Sequence, residues 1–189
     1  MKFRTLILAI LFGAGLAGIA VRAQDSVPAL KGKPTAEEIA RALARPAEEP
    51  TMRTRGIVLN PPGGAQPAAA PSGKRAIDLE VLFEFDSSRL TADGRDVLDA
   101  LGGALASKEL ADVRRVQLEG HTDAKGSDAY NESLSLLRAQ AARQYLIQKH
   151  KIAPVKLQAQ GKGKSELADP RDPYSAANRR VRVIVEGQS

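Results

Sequence analysis

The sequence predicts an α+β fold: a two-layer sandwich of order βαβαββ, with one mixed sheet carrying both helices on the same face. Three observations lead there. Within residues 76–189, four short runs alternate apolar and polar residues with the period of a half-buried strand. Two longer runs repeat their apolar residues every three to four positions, as amphipathic helices do. The strands are separated by helices except for the last two, which follow one another, and such an order closes most simply into one sheet under a helical layer.

The first strand is read from Ile77, Leu79, Val81 and Phe83, which alternate with Asp78, Glu80 and Glu84. A polar break at 86–91 leads to a helix over 92–107, with Thr91 as its N-cap and Val97, Leu98, Leu101 and Leu105 as its stripe. Val113, Val116 and Leu118 indicate the second strand. A loop over 120–130 feeds a second helix, 131–149, whose stripe is read as Leu134, Leu137, Ala141 and Tyr145. Val155, Leu157 and Ala159 suggest the third strand, and Val181, Val183 and Val185 the fourth.

The first 75 residues read differently. Lys2 and Arg4 precede an apolar run from Leu6 to Val21 that is shorter than the roughly 20 residues a spanning helix needs. Residues 1–23 therefore read as a secretory signal peptide cut after Ala23, so the mature protein is expected to be exported without a direct membrane span. Residues 24–75 hold 8 of the 11 prolines and no aromatic side chain, the composition of a flexible tether. One short helix is expected at 35–45, where Thr35 and Glu38 have capping-box spacing and Ile39 and Leu43 share a face. At that length it should form only transiently in isolation, and its apolar face suggests an envelope protein partner docking there.

Charge and cysteine content exclude several functions. Residues 1–75 carry 11 basic and 5 acidic side chains, whereas residues 76–189 carry 17 of each, so the whole formal +6 lies outside the folded part. A nucleic-acid partner is therefore not expected. With no cysteine and only two histidines, His121 and His150, no metal site or other cofactor is expected. Gly163-Lys164-Ser165 ends like a phosphate-binding loop, but Gln158 stands where the leading glycine belongs. His121, Asp123 and Ser127 crowd one loop without a nucleophile elbow, so an enzyme is not expected either.

Two arginines are out of place. Arg138 lies about 40° from Leu134 on a helical wheel, inside the apolar stripe, and a guanidinium there needs an acceptor because it keeps its charge. Arg179 shares the parity of the inward valines at the head of the last strand. The loop from Gly120 to Ser127 brings Asp123 to the start of the Arg138 helix. An acid that meets an ammonium beside an arginine that forks a carboxylate is a means of holding a zwitterion.

Gly120-His121-Thr122-Asp123, Tyr130-Asn131, Leu134-Ser135, Arg138-Ala139 and Asn178-Arg179-Arg180-Val181 together resemble the OmpA-like C-terminal, peptidoglycan-associating domain, from about Leu79 to Glu186. The resemblance implies non-covalent binding of peptidoglycan through the diaminopimelate of its peptide stem, anchoring or organising the cell envelope. By position, Asp123 and Arg138 match the residues that grip diaminopimelate, and Asp86, Thr122, Asn131 and Arg179 match pocket positions. The other role considered is an envelope protein-protein interaction module, or a component of a trans-envelope complex without direct wall binding. Residues 161–166 (Gly-Lys-Gly-Lys-Ser-Glu) replace the aromatic-bearing loop usual in the family, which predicts a more basic rim.

Overall fold

The computed structural model describes residues 27–44 and 73–187; the expected signal peptide and most of the expected tether lie outside them. Strands β1 (Ala29–Leu30), β2 (Lys74–Leu79), β3 (Arg115–His121), β4 (Leu157–Gly163) and β5 (Val181–Glu186) form one mixed sheet of order β1-β2-β5-β3-β4. Strand β5 runs antiparallel to both neighbours, β2 and β3, while β4 runs parallel to β3. Helices α1 (Ala36–Ala44), α2 (Ala92–Leu105) and α3 (Asp128–His150) supply the second layer. The α+β sandwich read from the sequence is the fold, with one strand and one helix more than its βαβαββ core.

The alternation in β5 works as expected, with Val181, Val183 and Val185 buried in the core beside Ile77, Leu79, Val116 and Leu118. On the opposite face, Asp78, Arg180 and Arg182 form a buried ion cluster. Thr91 caps α2 by accepting a hydrogen bond from the Gly94 amide at 3.0 Å. Val81 and Phe83 lie beyond the end of β2, where Phe83 bridges Leu90. Val155, read as a strand residue, is exposed in a 3-10 turn because Pro154 starts that turn and delays the strand to Leu157.

The short helix is not free. Its capping box forms: the Glu38 carboxylate accepts from the Thr35 amide at 2.8 Å, and Thr35 Oγ1 accepts from the Glu38 amide at 3.2 Å. Ile39 and Leu43 are completely buried with Val97, Leu98 and Leu101, and β1 extends the sheet alongside β2. The apolar face that suggested a docking surface for an envelope partner at 35–45 is thus occupied within the chain. Nine residues are too few for a stable isolated helix, and burial against α2 supplies what local propensity lacks.

Helix α3 corrects the predicted stripe. Its buried residues are Asn131, Ser135, Ala139, Ala142 and Leu146, a line rotated by about 100° from the predicted one, while Leu137 is 49 % exposed. The cause lies in the sheet. Gly120 and Gly161 let the helix rest directly on strand backbone: a Cβ on Gly120 would stand 2.1 Å from the Ser135 carbonyl oxygen, and one on Gly161 2.7 Å from that of Glu132. Ser135 Oγ accepts from the Gly163 amide at 2.9 Å across the same contact. Small residues are required there, and apolar bulk is excluded. Gly120→Ala should therefore cost about 1–3 kcal/mol by overpacking, read as a lower urea midpoint; an unchanged midpoint would contradict this close approach.

Candidate functional site

The site lies at the end of the sheet where β3 runs out, between the start of α3, the segment after β2 and the turn before β5. Short-range bonds hold its loop. Ser127 caps α3 by accepting from the Tyr130 amide, and Asp123 Oδ1 accepts from the Lys125 amide at 3.1 Å. The Asn131 side chain donates to the Lys125 carbonyl at 2.8 Å, and the Thr122 amide donates to the Gly163 carbonyl at 2.9 Å. Asn131 and Thr122 are both buried, so they build the loop from beneath.

Arg138 sits where the rotation of α3 leaves it, on the flank between core and solvent. Its Nε donates to the Ser87 carbonyl at 3.0 Å, and its guanidinium lies 5.2 Å from the centre of the Phe83 ring. These two contacts aim the fork. Among the described residues no carboxylate forms an ion pair with it, although burial lowers its pKa and thereby disfavours its charge. A half-buried cation held by a carbonyl and an aromatic face is set to receive an anion.

Asp123 does not pair with Arg138. Its Oδ2 accepts from Arg179 Nη1 at 2.9 Å, so these two predicted site residues meet each other. Arg179 reaches this position because buried Asn178 staples the preceding loop, accepting from the Asp169 amide at 2.8 Å and donating to the Asp172 and Pro173 carbonyls at 3.0 and 3.1 Å. Asp86 is exposed at a positive φ of 49° and accepts a hydrogen bond from the Tyr130 hydroxyl. The Phe85-Asp86 loop is thereby tied to the first turn of α3, one residue from the carbonyl that Arg138 holds.

The expected basic rim is neutralised. Lys162 lies 3.5 Å from Glu119 and 3.2 Å from Glu166, while Lys164 lies 2.8 Å from Asp128 and donates to the Gly126 carbonyl. Sequence reasoning did not place Phe83 or Tyr130 here, and their contacts to Arg138 and Asp86 cross chain separations that no local pattern reports. Glu80, read only as a polar strand residue, and His121, set aside as a metal or catalytic candidate, line a cavity of about 70 Å³ with Phe83, Arg138, Arg179 and Arg180. His121 is 1 % exposed; burial, followed by the charges of Arg180 and Arg182, holds its pKa down at about 4, so the imidazole is neutral near pH 7.

The model for the OmpA family matches residues 82–182 of the chain. Outer membrane protein A of Bordetella avium is 33% identical over 131 residues, a match covering 67% of this chain and 66% of that protein. Outer membrane protein A of Serratia marcescens is 44% identical over 87 residues, covering 46% of this chain and 24% of that protein. The crystal structure of the periplasmic domain of Helicobacter pylori MotB superposes with a TM-score of 0.51 at 20% identity, covering 60% of this chain and 74% of that one, and shows the common fold. The chain thus spans 24% to 66% of the length of these two relatives.

Proposed function

The chain belongs to the OmpA family, and from that premise we propose that it is a periplasmic, non-catalytic module that binds peptidoglycan through the diaminopimelate of the peptide stem. The observation that carries this reading is Arg138: its guanidinium is half-buried, oriented by Ser87 and Phe83, and in no ion pair with any described residue. A diaminopimelate side chain ends in a carboxylate and an ammonium. The carboxylate answers Arg138 through a bidentate fork, and the ammonium meets Asp123, each of whose oxygens accepts one hydrogen bond in the structure and keeps further lone pairs.

The other pocket residues then have supporting roles. Arg179 fixes the Asp123 carboxylate, Asp86 ties the Phe85-Asp86 loop to Tyr130, and Thr122 and Asn131 hold the loop that presents Asp123. Binding through one side chain of a polymer needs no nucleophile and no bound cofactor. The envelope-partner reading loses its first support because the apolar face of α1 is spent inside the domain.

Co-sedimentation with purified sacculi tests the proposal. Arg138→Ala removes a charged hydrogen-bonding group worth about 1.5–3 kcal/mol, so its affinity should fall about tenfold to more than a hundredfold while the thermal transition stays near that of the parent. A variant that sediments as well as the parent would refute the role of Arg138, and a parent that does not sediment would refute wall binding.

A further inference from the structure

His121, the last residue of β3, is buried, and neither of its ring nitrogens has a hydrogen-bond partner among the described residues. Its backbone stands at a junction of three strands. The His121 amide donates to the Arg180 carbonyl at the head of β5, and the next amide, that of Thr122, donates to the Gly163 carbonyl at the end of β4, both at 2.9 Å. At these two bonds the sheet ends and the loop that carries Asp123 begins.

Among the described residues no carboxylate stands at hydrogen-bond distance from the ring. The charges that act on it are Arg180 and Arg182 from β5 and its lead-in, Asp78 from β2, and Glu166 from the segment after β4. Asp78 is taken by both arginines at 2.8 Å, and Glu166 by Lys162 of β4 at 3.2 Å and by Arg182 at 3.5 Å. On β3 itself, Glu119 Oε2 lies 3.9 Å from Nε2, too far for a hydrogen bond, while its Oε1 accepts from the Gln117 side chain at 2.9 Å and lies 3.5 Å from Lys162. Glu80, Arg138 and Arg179 line the cavity that the residue borders on its other side. Burial first, then the two arginines against the weaker pull of Asp78 and Glu166, brings the pKa of His121 down from 6.5 to about 4.

We propose that the tip of β3 is an acid-sensitive latch on the loop from Gly120 to Ser127: the closed structure has no acceptor for a proton on His121, so acid frees residues 121 and 122 from Arg180 and Gly163 and loosens the segment that presents Asp123. In an opened chain the imidazole regains water and its ordinary value of 6.5, so between pH 6.5 and 4 the open state takes up a proton that the closed state refuses. The advantage of the closed state at His121 is therefore whole above pH 6.5 and is lost as the pH falls toward 4. Opening of the strand tip alone exposes the ring, so the effect reaches the loop before the rest of the domain unfolds. The latch goes beyond wall binding and operates without a ligand.

Amide hydrogen exchange of the full chain at pH 7 and pH 5 tests this. After correction for the intrinsic pH dependence of exchange, protection of the His121 and Thr122 amides should fall about tenfold or more between the two conditions. Their exchange should be insensitive to low concentrations of urea, as a local opening is, whereas that of Leu118, in a strand paired on both sides, should rise with urea as global unfolding does. His121→Gln cannot titrate, and its two amides should keep their protection at pH 5. The ring-nitrogen resonances of the parent give a readout that needs no variant: they should remain those of a neutral imidazole down to about pH 5. A ring that titrates near pH 6.5 in the folded protein overturns the proposal. So does a His121→Gln chain as acid-sensitive as the parent, and so does exchange at residues 121 and 122 that follows urea as that of Leu118 does.

Discussion

Asp78→Ala should destabilise the domain by about 3–5 kcal/mol, the usual consequence of removing one partner from a buried ion pair. Asp78 Oδ2 accepts from Arg180 Nε at 2.8 Å and its Oδ1 from Arg182 Nε at 2.8 Å, and both Asp78 and Arg180 are 6 % exposed. The aspartate answers two guanidiniums between β2 and β5. Without it, Arg180 keeps only backbone acceptors, the Glu166 carbonyl at 3.2 Å and the Asn178 carbonyl at 3.5 Å, while Arg182 still reaches the Glu166 carboxylate at 3.5 Å. An arginine cannot escape by losing its proton, so the penalty falls on folding. Urea unfolding measures it. The double variant Asp78→Ala with Arg180→Met should recover part of the loss, since the unanswered charge causes most of it. A single variant within about 1 kcal/mol of the parent, or a double variant costing the full sum, would show that the cluster is not a buried ion pair in energetic terms.

Leu43→Ala should cost about 2–5 kcal/mol, as truncation of a fully buried leucine does. The magnitude matters because it separates two pictures of residues 35–45. A helix that forms only transiently would lose almost nothing on this change. The helix seen here packs Ile39 and Leu43 into the same core as Leu98 and Leu101, so its truncation opens a cavity in the domain itself. An unchanged urea midpoint would return α1 to the status of an appendage.

Part of the site was legible because its signals are local. Thr91, Thr35 and Glu38 cap their helices through neighbours three residues away. The loop from Gly120 to Ser127 makes its own turn through Asp123 and Lys125. Arg138 was visible as an anomaly, a permanent charge near an apolar stripe, although the stripe itself was drawn on the wrong side. Its contacts were not legible: Ser87 lies 51 positions away in the chain, and Arg179 lies 56 from Asp123.

The sequence by itself determined the α+β class, the order of the four long strands and two long helices, and the neighbourhood of Asp123 and Arg138. Each of these rests on periodicity, capping or spacing within about one element's length, where the interacting groups are chain neighbours. Only the tertiary structure decided which side of α3 faces the sheet, that α1 belongs to the core, and that Asp123 pairs with Arg179. At Gly120 and Gly161 helix backbone meets strand backbone, so the buried side of α3 was chosen for smallness and hydrogen bonding, with Asn131, Ser135 and Ala139 inside and Leu137 outside. Hydrophobic periodicity registers the preference of a side chain for water or oil, and it carries no information about the space that a partner fifteen to thirty residues away leaves for it.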